Sequence, residues 1–270
     1  MSARLLRLGT RLYIALFALF MLAPLFFVVL NSFNSARFSS FPPPGFSLQW
    51  YARLLDIADI GLAIRNSLLI AAVSTVIAMV IGTAAALAIK RGAWRSGAAV
   101  QSLLLTPLLV PKIVIGIAIF IAAIRLGLYP SYTSLALAHA VLVLPYVVSI
   151  VGANLHRIDR SQEEAAMDLG ANALQTFRLA TVPQIRRGLM LAALFSIVLS
   201  FDEFDISLFL TRAENITLPI RMYNYMQEFE DPTLAALSTL LIAVSVIVFC
   251  LMAWIGRGMS LNQLTGRRTV

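Results

Sequence analysis

Residues 67–89 read SLLIAAVSTVIAMVIGTAAALAI, from Ser67 to Ile89, and Lys90 and Arg91 follow at once. No charge interrupts this run, and at about 1.5 Å per residue a helix of that length crosses a hydrocarbon core roughly 30 Å thick. Five further runs are long and predominantly apolar: Leu12–Leu30, Ala98–Ile124, Tyr132–Ala153, Leu189–Leu210 and Leu234–Ile255. The expected fold is therefore an all-α membrane protein with six transmembrane helices. The fifth run is the least regular, because Asp202, Glu203 and Asp205 interrupt its far end.

Composition supports the same class. Hydrophobic residues make up 60% of the 270 and charged residues only 13%, against about 25% charged in a soluble domain. A chain so poor in charge cannot coat a water-facing surface. The run after Arg11 is span-length and no small-residue cleavage site follows it, so it reads as a first span rather than a removable leader. The single cysteine, Cys250, lies within an apolar run and allows no internal disulfide.

The net charge of +8 does not point to nucleic acid, because the basic residues cluster in short segments between apolar runs. With the N-terminus placed in the cytoplasm, 14 of the 21 lysines and arginines fall on the inner side. These are Arg4, Arg7 and Arg11; Lys90, Arg91 and Arg95; Arg157, Arg160, Arg178, Arg186 and Arg187; and Arg257, Arg267 and Arg268. Six fall outside, at Arg37, Arg53, Arg65, Arg125, Arg212 and Arg221, and Lys112 lies within the third run. The positive-inside rule then places both termini in the cytoplasm.

Three connections stand out. The outer loop Asn31–Leu62 carries Pro42, Pro43 and Pro44, a stiff extended stretch. The outer segment Leu218–Asp231 spaces Met222, Tyr225, Met226 and Phe229 as an amphipathic helix would. It suits either the protein's own spans or a docking partner. The inner loop Asn154–Arg187 is far longer than a turn between antiparallel spans requires.

That inner loop holds the most specific local signal. Ser161 can cap a helix whose third residue is Glu164, and Asp159, Glu163 and Glu164 suit its positive end. Ala165, Ala166 and Leu169 follow as a face that another surface can approach closely. Gly170 supplies the turn at the helix end. A second short helix over Ala173–Thr181 is expected to stop before Pro183.

Glu164-Ala165-Ala166, then three residues, Gly170, and Pro183 thirteen further on, resemble the cytoplasmic loop of type I ABC importer permeases. That loop has E-A-A, three residues, G, nine residues, then I-x-L-P. The chain departs from it at Ala180 and Val182, both smaller than the usual residues. The resemblance implies the permease fold, and a coupling helix comprising Glu164, Ala165, Ala166, Asp168, Leu169 and Gly170, with Pro183, seated on a separate ATPase subunit. It implies the following organisation: an N-terminal span and outer loop over 1–62, a five-helix core over 63–255 with the coupling loop at 154–187, and a cytoplasmic tail over 256–270. Asn31-Ser32-Phe33-Asn34-Ser35, Asp202-Glu203, Leu218-Pro219 with Tyr223, and Ala236-Leu237-Ser238-Thr239 look like the shorter, C-type subunit of the spermidine/putrescine permeases. The resemblance further implies a bacterial inner membrane and a complex of two ATPase subunits, a second and different permease, and a periplasmic solute-binding protein. ATP and Mg belong to the ATPase, and no cofactor to this chain. The implied solute is a polyamine, the alternatives being an amino acid derivative, thiamine, aminoethylphosphonate or iron.

The charges near the membrane are the candidate pathway residues. Asp202, Glu203 and Asp205 would form a cation-attracting rim, or sit solvated at the interface. Lys112 follows Pro111, with Pro107 a turn earlier, so a kinked helix is expected there. Lys112 would pair with Asp202 or Asp205, line the pathway, or snorkel along the kink; a cation in the pathway argues against a polycationic solute. Pro145 can kink the fourth span, and His139 reads as a buried hydrogen-bonding residue.

The chain shows no G-x-x-x-x-G-K-[ST] phosphate loop, no His/Cys metal cluster and no nucleophile–base arrangement. It does not read as an enzyme. A stand-alone secondary transporter would show repeated halves with broken helices around a midplane site, and no such repeat is visible in the sequence.

Overall fold

The computed structural model describes residues 3–92 and 97–256; Arg95, Arg257, Arg267 and Arg268, with the tail from 257 to 270, lie outside the described residues. The described chain is almost wholly helical, with one isolated bridge between Asn34 and Phe46. It divides into two compact units. One comprises the chain up to Ile60 with Met222–Val246, the other Gly61–Arg221 with the residues from Ile247 onward.

In the first unit, helix α1 spans Ala3–Ser32. From Arg7 to Phe27 every residue is exposed within this chain, including Phe17, Phe20 and Phe26. Such a surface needs lipid or another apolar chain to cover it. The loop that follows is ordered by polar contacts: the Trp50 indole donates to the Asn34 carbonyl at 2.5 Å, and the Ser32 and Tyr51 hydroxyls lie 2.8 Å apart. Trp50 belongs to the short helix α2, Gln49–Arg53.

The second unit is built on helices α3 (Ile60–Lys90), α4 (Gly97–Leu105), α5 (Lys112–Arg125) and α6 (Tyr132–Leu155). The loop after α6 contains α7 (Arg160–Asp168) and α8 (Ala173–Thr176), a π-helical stretch Phe177–Thr181, and then α9 (Val182–Phe201). Short helix α10 (Ser207–Leu210) follows. Helices α11 (Leu218–Glu228) and α12 (Thr233–Gly256) complete the described chain. Two apolar clusters lie along α6. One joins Val143, Val147, Val151 and Leu155 to Ala78 and Ala86 of α3 and Ile185 and Ala192 of α9. The other joins Leu135, Ala138 and Leu142 to Ile70, Ala123, Ile206 and Leu210. On α3 the buried face is mostly small: Ala63, Ser67, Ala71, Ser74, Ala78, Gly82 and Ala86 recur at helical spacing. A Cβ on Gly82 would lie 2.8 Å from Cγ1 of Val147, the close backbone approach through which membrane helices associate.

Among the described residues, five helices are long and apolar enough to cross a membrane, or six if the bent pair α4–α5 is one span. That pair corrects the expected kinked third helix: its halves meet at 101°. The 3₁₀ turn Thr106–Leu108 contains Pro107, and Pro111 is extended at ψ 131°. Each proline removes a backbone donor and disfavours helix in the residue before it, so two of them four residues apart break the helix.

The fifth span is shifted as well. Helix runs from Ala173 through the π-helical stretch into α9 without stopping before Pro183, and it ends at Phe201 rather than Leu210. Pro183 is the second residue of α9, directly after the π-helical stretch, whose looser winding accommodates the ring and the missing N–H. The fourth span continues unbroken through Pro145. The amphipathic helix stops at Glu228, short of Asp231. Asp231 instead accepts from the Thr233 N–H at 3.0 Å at the head of α12, and from the hydroxyl of buried Tyr225 at 2.9 Å.

Candidate functional site

The loop after α6 is shaped by local capping. Asp159, not Ser161, caps α7, accepting from the Ser161 N–H at 3.0 Å. Ser161 lies inside the helix, so the expected capping box with Glu164 does not form. The backbone bond from Ser161 holds the Asp159 carboxyl below its ordinary value. At the other end, Gly170 takes φ +92°. Its N–H bonds to the Met167 carbonyl at 2.9 Å and that of Ala171 to the Ala166 carbonyl at 3.0 Å, the paired closure of a Schellman motif. Asn172 and Gln175 then form a capping box on α8, at 2.9 and 2.8 Å.

Glu164, Ala165 and Asp168 are exposed and Ala166 is half-buried. Leu169 is 90% exposed, with Met167 and Leu174 also exposed. The tip of this short polar loop thus leaves three apolar side chains uncovered by the described residues.

A second carboxylate, Glu163, faces inward. Its Oε1 accepts from the Thr181 hydroxyl at 2.6 Å and from Arg91 Nη2 at 3.2 Å. Burial pushes the Glu163 carboxyl up, but the Thr181 and Arg91 bonds outweigh it and hold the group below the usual carboxylate range. Lys90 Nζ donates to the carbonyls of Leu155 and Ile158, and Arg160 donates to the Lys90 carbonyl at 3.3 Å. The ends of α3 and α6 and the start of α9 thus meet beneath α7. Sequence reasoning gave Glu163 only a dipole role and missed Thr181. No local signal links residues 18 or 72 positions apart.

The acidic cluster lies at the far end of α9, roughly 30 Å from Pro183 at about 1.5 Å per residue. The coupling and pathway candidates are therefore not brought together. The cluster itself divides. Asp202 caps α9 and is exposed, Asp205 is half-buried, and the Glu203 side chain is wholly buried. Lys112 pairs with Glu203 at 2.9 Å, rather than with Asp202 or Asp205. The other Glu203 oxygen accepts from the Ile206 N–H at 3.1 Å. Charge at bilayer depth is costly unless paired. Glu203, the most enclosed of the three acids, is the one that Lys112 reaches as it opens α5.

Beside this pair, His139 is buried as expected, between the Ser200 hydroxyl at 2.8 Å from Nδ1 and the Ser207 hydroxyl at 3.0 Å from Nε2. Ser200 continues to Ser74 at 2.9 Å, so α3, α6, α9 and α10 share one buried polar chain. Among the described residues, no three His, Cys, Asp or Glu side chains are grouped as metal ligands would be.

Residues 78–261 match the family described as the binding-protein-dependent transport system inner membrane component. The putrescine transport system permease protein PotI of Escherichia coli is 31% identical over 87% of this chain and 85% of its own. The spermidine/putrescine transport system permease protein PotC of the same organism is 31% identical over 92% of each. Among solved structures, a chain of a bacterial ABC transporter involved in the import of the acidic polysaccharide alginate superposes with TM-score 0.72 at 17% identity, covering 94% of this chain and 98% of that one. A chain of the inward-facing MetNI methionine ABC transporter gives 0.55 at 17%, covering 77% and 96%. At that identity these two structures speak to fold alone. One broken helix, the feature associated above with stand-alone transporters, is thus present in a chain whose relatives are permeases. Long apolar helices, a capped loop with an exposed apolar tip, and near full-length kinship lead to one assignment: the chain belongs to the binding-protein-dependent transport system inner membrane components, the permease subunits of type I ABC importers.

Proposed function

We propose that this permease subunit imports a polyamine of the putrescine or spermidine class across a bacterial inner membrane. The observation that carries the reading is identity of 31% over nearly the whole chain to permeases named for putrescine and for spermidine/putrescine. The electrostatics favour it too. Lys112 would oppose a polycation if it stood free, but Glu203 neutralises it at 2.9 Å. Asp202 and Asp205 then leave that end of α9 net negative, a rim suited to attracting a cation.

In this reading the chain forms half of the pathway, beside a second, different permease, with six spans and both termini in the cytoplasm. A periplasmic binding protein delivers the solute. Two ATPase subunits, which bind ATP and Mg, drive the complex, and one of them docks on the Glu164–Gly170 tip, where Leu169 and Met167 offer apolar contact. The chain itself hydrolyses nothing. ATP-driven closure of the ATPases moves α7, and the spans alternate between inward and outward access.

The test is uptake by proteoliposomes containing the chain with its co-purifying ATPase, second permease and binding protein. Labelled putrescine or spermidine should accumulate with ATP, and Asp202→Asn should slow uptake about threefold or more, the scale of one lost rim charge. ATP-dependent uptake of some other solute, with none of either amine, would reassign the substrate.

A further inference from the structure

Helix α7 has no fully buried residue. Beside it lies a cavity of about 260 Å³ whose lining includes Arg91, Arg160, Glu163, Glu164, Met167 and Thr176, rather than a packed interface. A lever held so loosely by apolar contact needs polar tethers. Those that run from its side chains to other helices begin at Arg160 and Glu163. The Arg160 bond is longer, at 3.3 Å, and goes to a backbone carbonyl.

Glu163 differs in kind. One oxygen receives Arg91, at the end of α3, and Thr181, the last residue of the π-helical stretch that leads into α9. Thr181 is fully buried and the Glu163 side chain is only 13% exposed. A π-helical stretch inside a helix is a rare, looser winding that often occurs at functional positions. Here it lies next to Pro183, where the backbone ladder is already weakened.

We propose that Glu163, the residue before Glu164-Ala165-Ala166, is the positioning residue that transmits motion of α7 into the membrane, by tying it to α3 through Arg91 and to the π-helical base of α9 through Thr181. This rests on the coupling-loop reading above. It gives the two adjacent glutamates separate tasks: Glu164, exposed at the rim of the same cavity, is left to the ATPase, and Glu163 is held by the spans. Displacement of α7 then pulls on two helices at once. One of them, α9, carries the Ser200 end of the buried His139 chain and is capped by Asp202 at its far end.

The experiment measures solute taken up per ATP hydrolysed, in proteoliposomes of the full complex stimulated by loaded binding protein. Glu163→Ala should lower that ratio about tenfold, within the range for substitutions along a coupling route, while the ATPase still co-purifies. Thr181→Val, which removes only the α9 tether, should lower it less. Exchanging the charges, Glu163→Arg with Arg91→Glu, should recover part of the ratio lost in Glu163→Arg alone, a response that damage to packing would not produce. If Glu163→Ala does not accumulate, the comparison of Thr181→Val and the exchanged pair with wild type decides the question. An unchanged ratio in the variants that insert, or no recovery on exchange, overturns the proposal. A wild-type chain that captures no ATPase would instead overturn the coupling-loop reading itself.

Discussion

At the scale of single residues, Gly170 is constrained by its backbone and not by space. A Cβ built on it meets nothing within 4 Å, yet its φ is +92°. Substitution is therefore opposed by the backbone alone, at roughly 1–2 kcal/mol for an ordinary L-residue in left-handed geometry. Asn tolerates that region better than a β-branched residue does. Gly170→Val should accordingly reorient α8 against α7 and reduce transport per ATP by about tenfold, taking the whole strain as lost coupling, while the chain still inserts. Gly170→Asn should fall between Val and wild type. Equal coupling in all three, measured on the reconstituted complex, would show that the angle set by the Schellman closure is irrelevant to transmission.

Among the elements, the α6–α9 contact carries the second unit. Gly188 of α9 faces Asn154 of α6, and a Cβ there would lie 2.4 Å from Asn154 Cγ. Asn154 Nδ2 donates to the Ile150 carbonyl at 2.8 Å, so it cannot retreat without losing that bond. Gly188→Ala should cost about 1–3 kcal/mol, the usual range for overpacking. Gly152→Ala, where nothing lies within 4 Å, should be neutral or gain up to about 1 kcal/mol from the better helix former. Thermal unfolding in detergent separates the two. A Gly188→Ala protein as stable as Gly152→Ala would contradict the close approach of these helices. The same scale explains the shifted fifth span. The restriction that proline puts on the residue before it favours a stop before Pro183, but the π-helical winding of Phe177–Thr181 lets the helix continue past it.

For the whole molecule, orientation rests on the fourteen-to-six distribution of basic residues. In a Cys250→Ala background, a cysteine at Ser2 or Thr269 should resist an impermeant thiol reagent in intact cells. One at Ser39, which is exposed in the loop after α1, should react. Reaction at the termini would invert the topology and put the Asn154–Arg187 loop on the side away from any cytoplasmic ATPase. The exposed face of α1 belongs to this scale too. Its phenylalanines stay largely exposed among the described residues, as expected of a subunit surrounded by lipid and by other chains.

What the sequence determined by itself is much of what depends on neighbours a few positions away. Apolar runs at Ser67, Tyr132 and Leu234 became helices α3, α6 and α12 within about two residues of the expected ends, except where Ile60–Asn66 extended α3 backward. The glycine closure at Gly170 was legible because its bonds span only Ala166 to Ala171. Tertiary structure decided which charges meet. Lys112 and Glu203 are 91 positions apart, Arg91 and Glu163 72, and His139 and Ser207 68. A hydropathy pattern records that a residue is apolar or charged, not which helix it will face. Asp202, Glu203 and Asp205 look alike in sequence, and only the path of the chain after Phe201 turns Glu203 inward to Lys112. The 101° break between α4 and α5 was half visible, since two prolines announce an interruption. The angle was not, because an interrupted backbone ladder leaves direction open to tertiary packing, and α5 here lies against Ile206 and Phe209, where a Cβ on Gly116 would sit 3.2 Å from the Ile206 Cα.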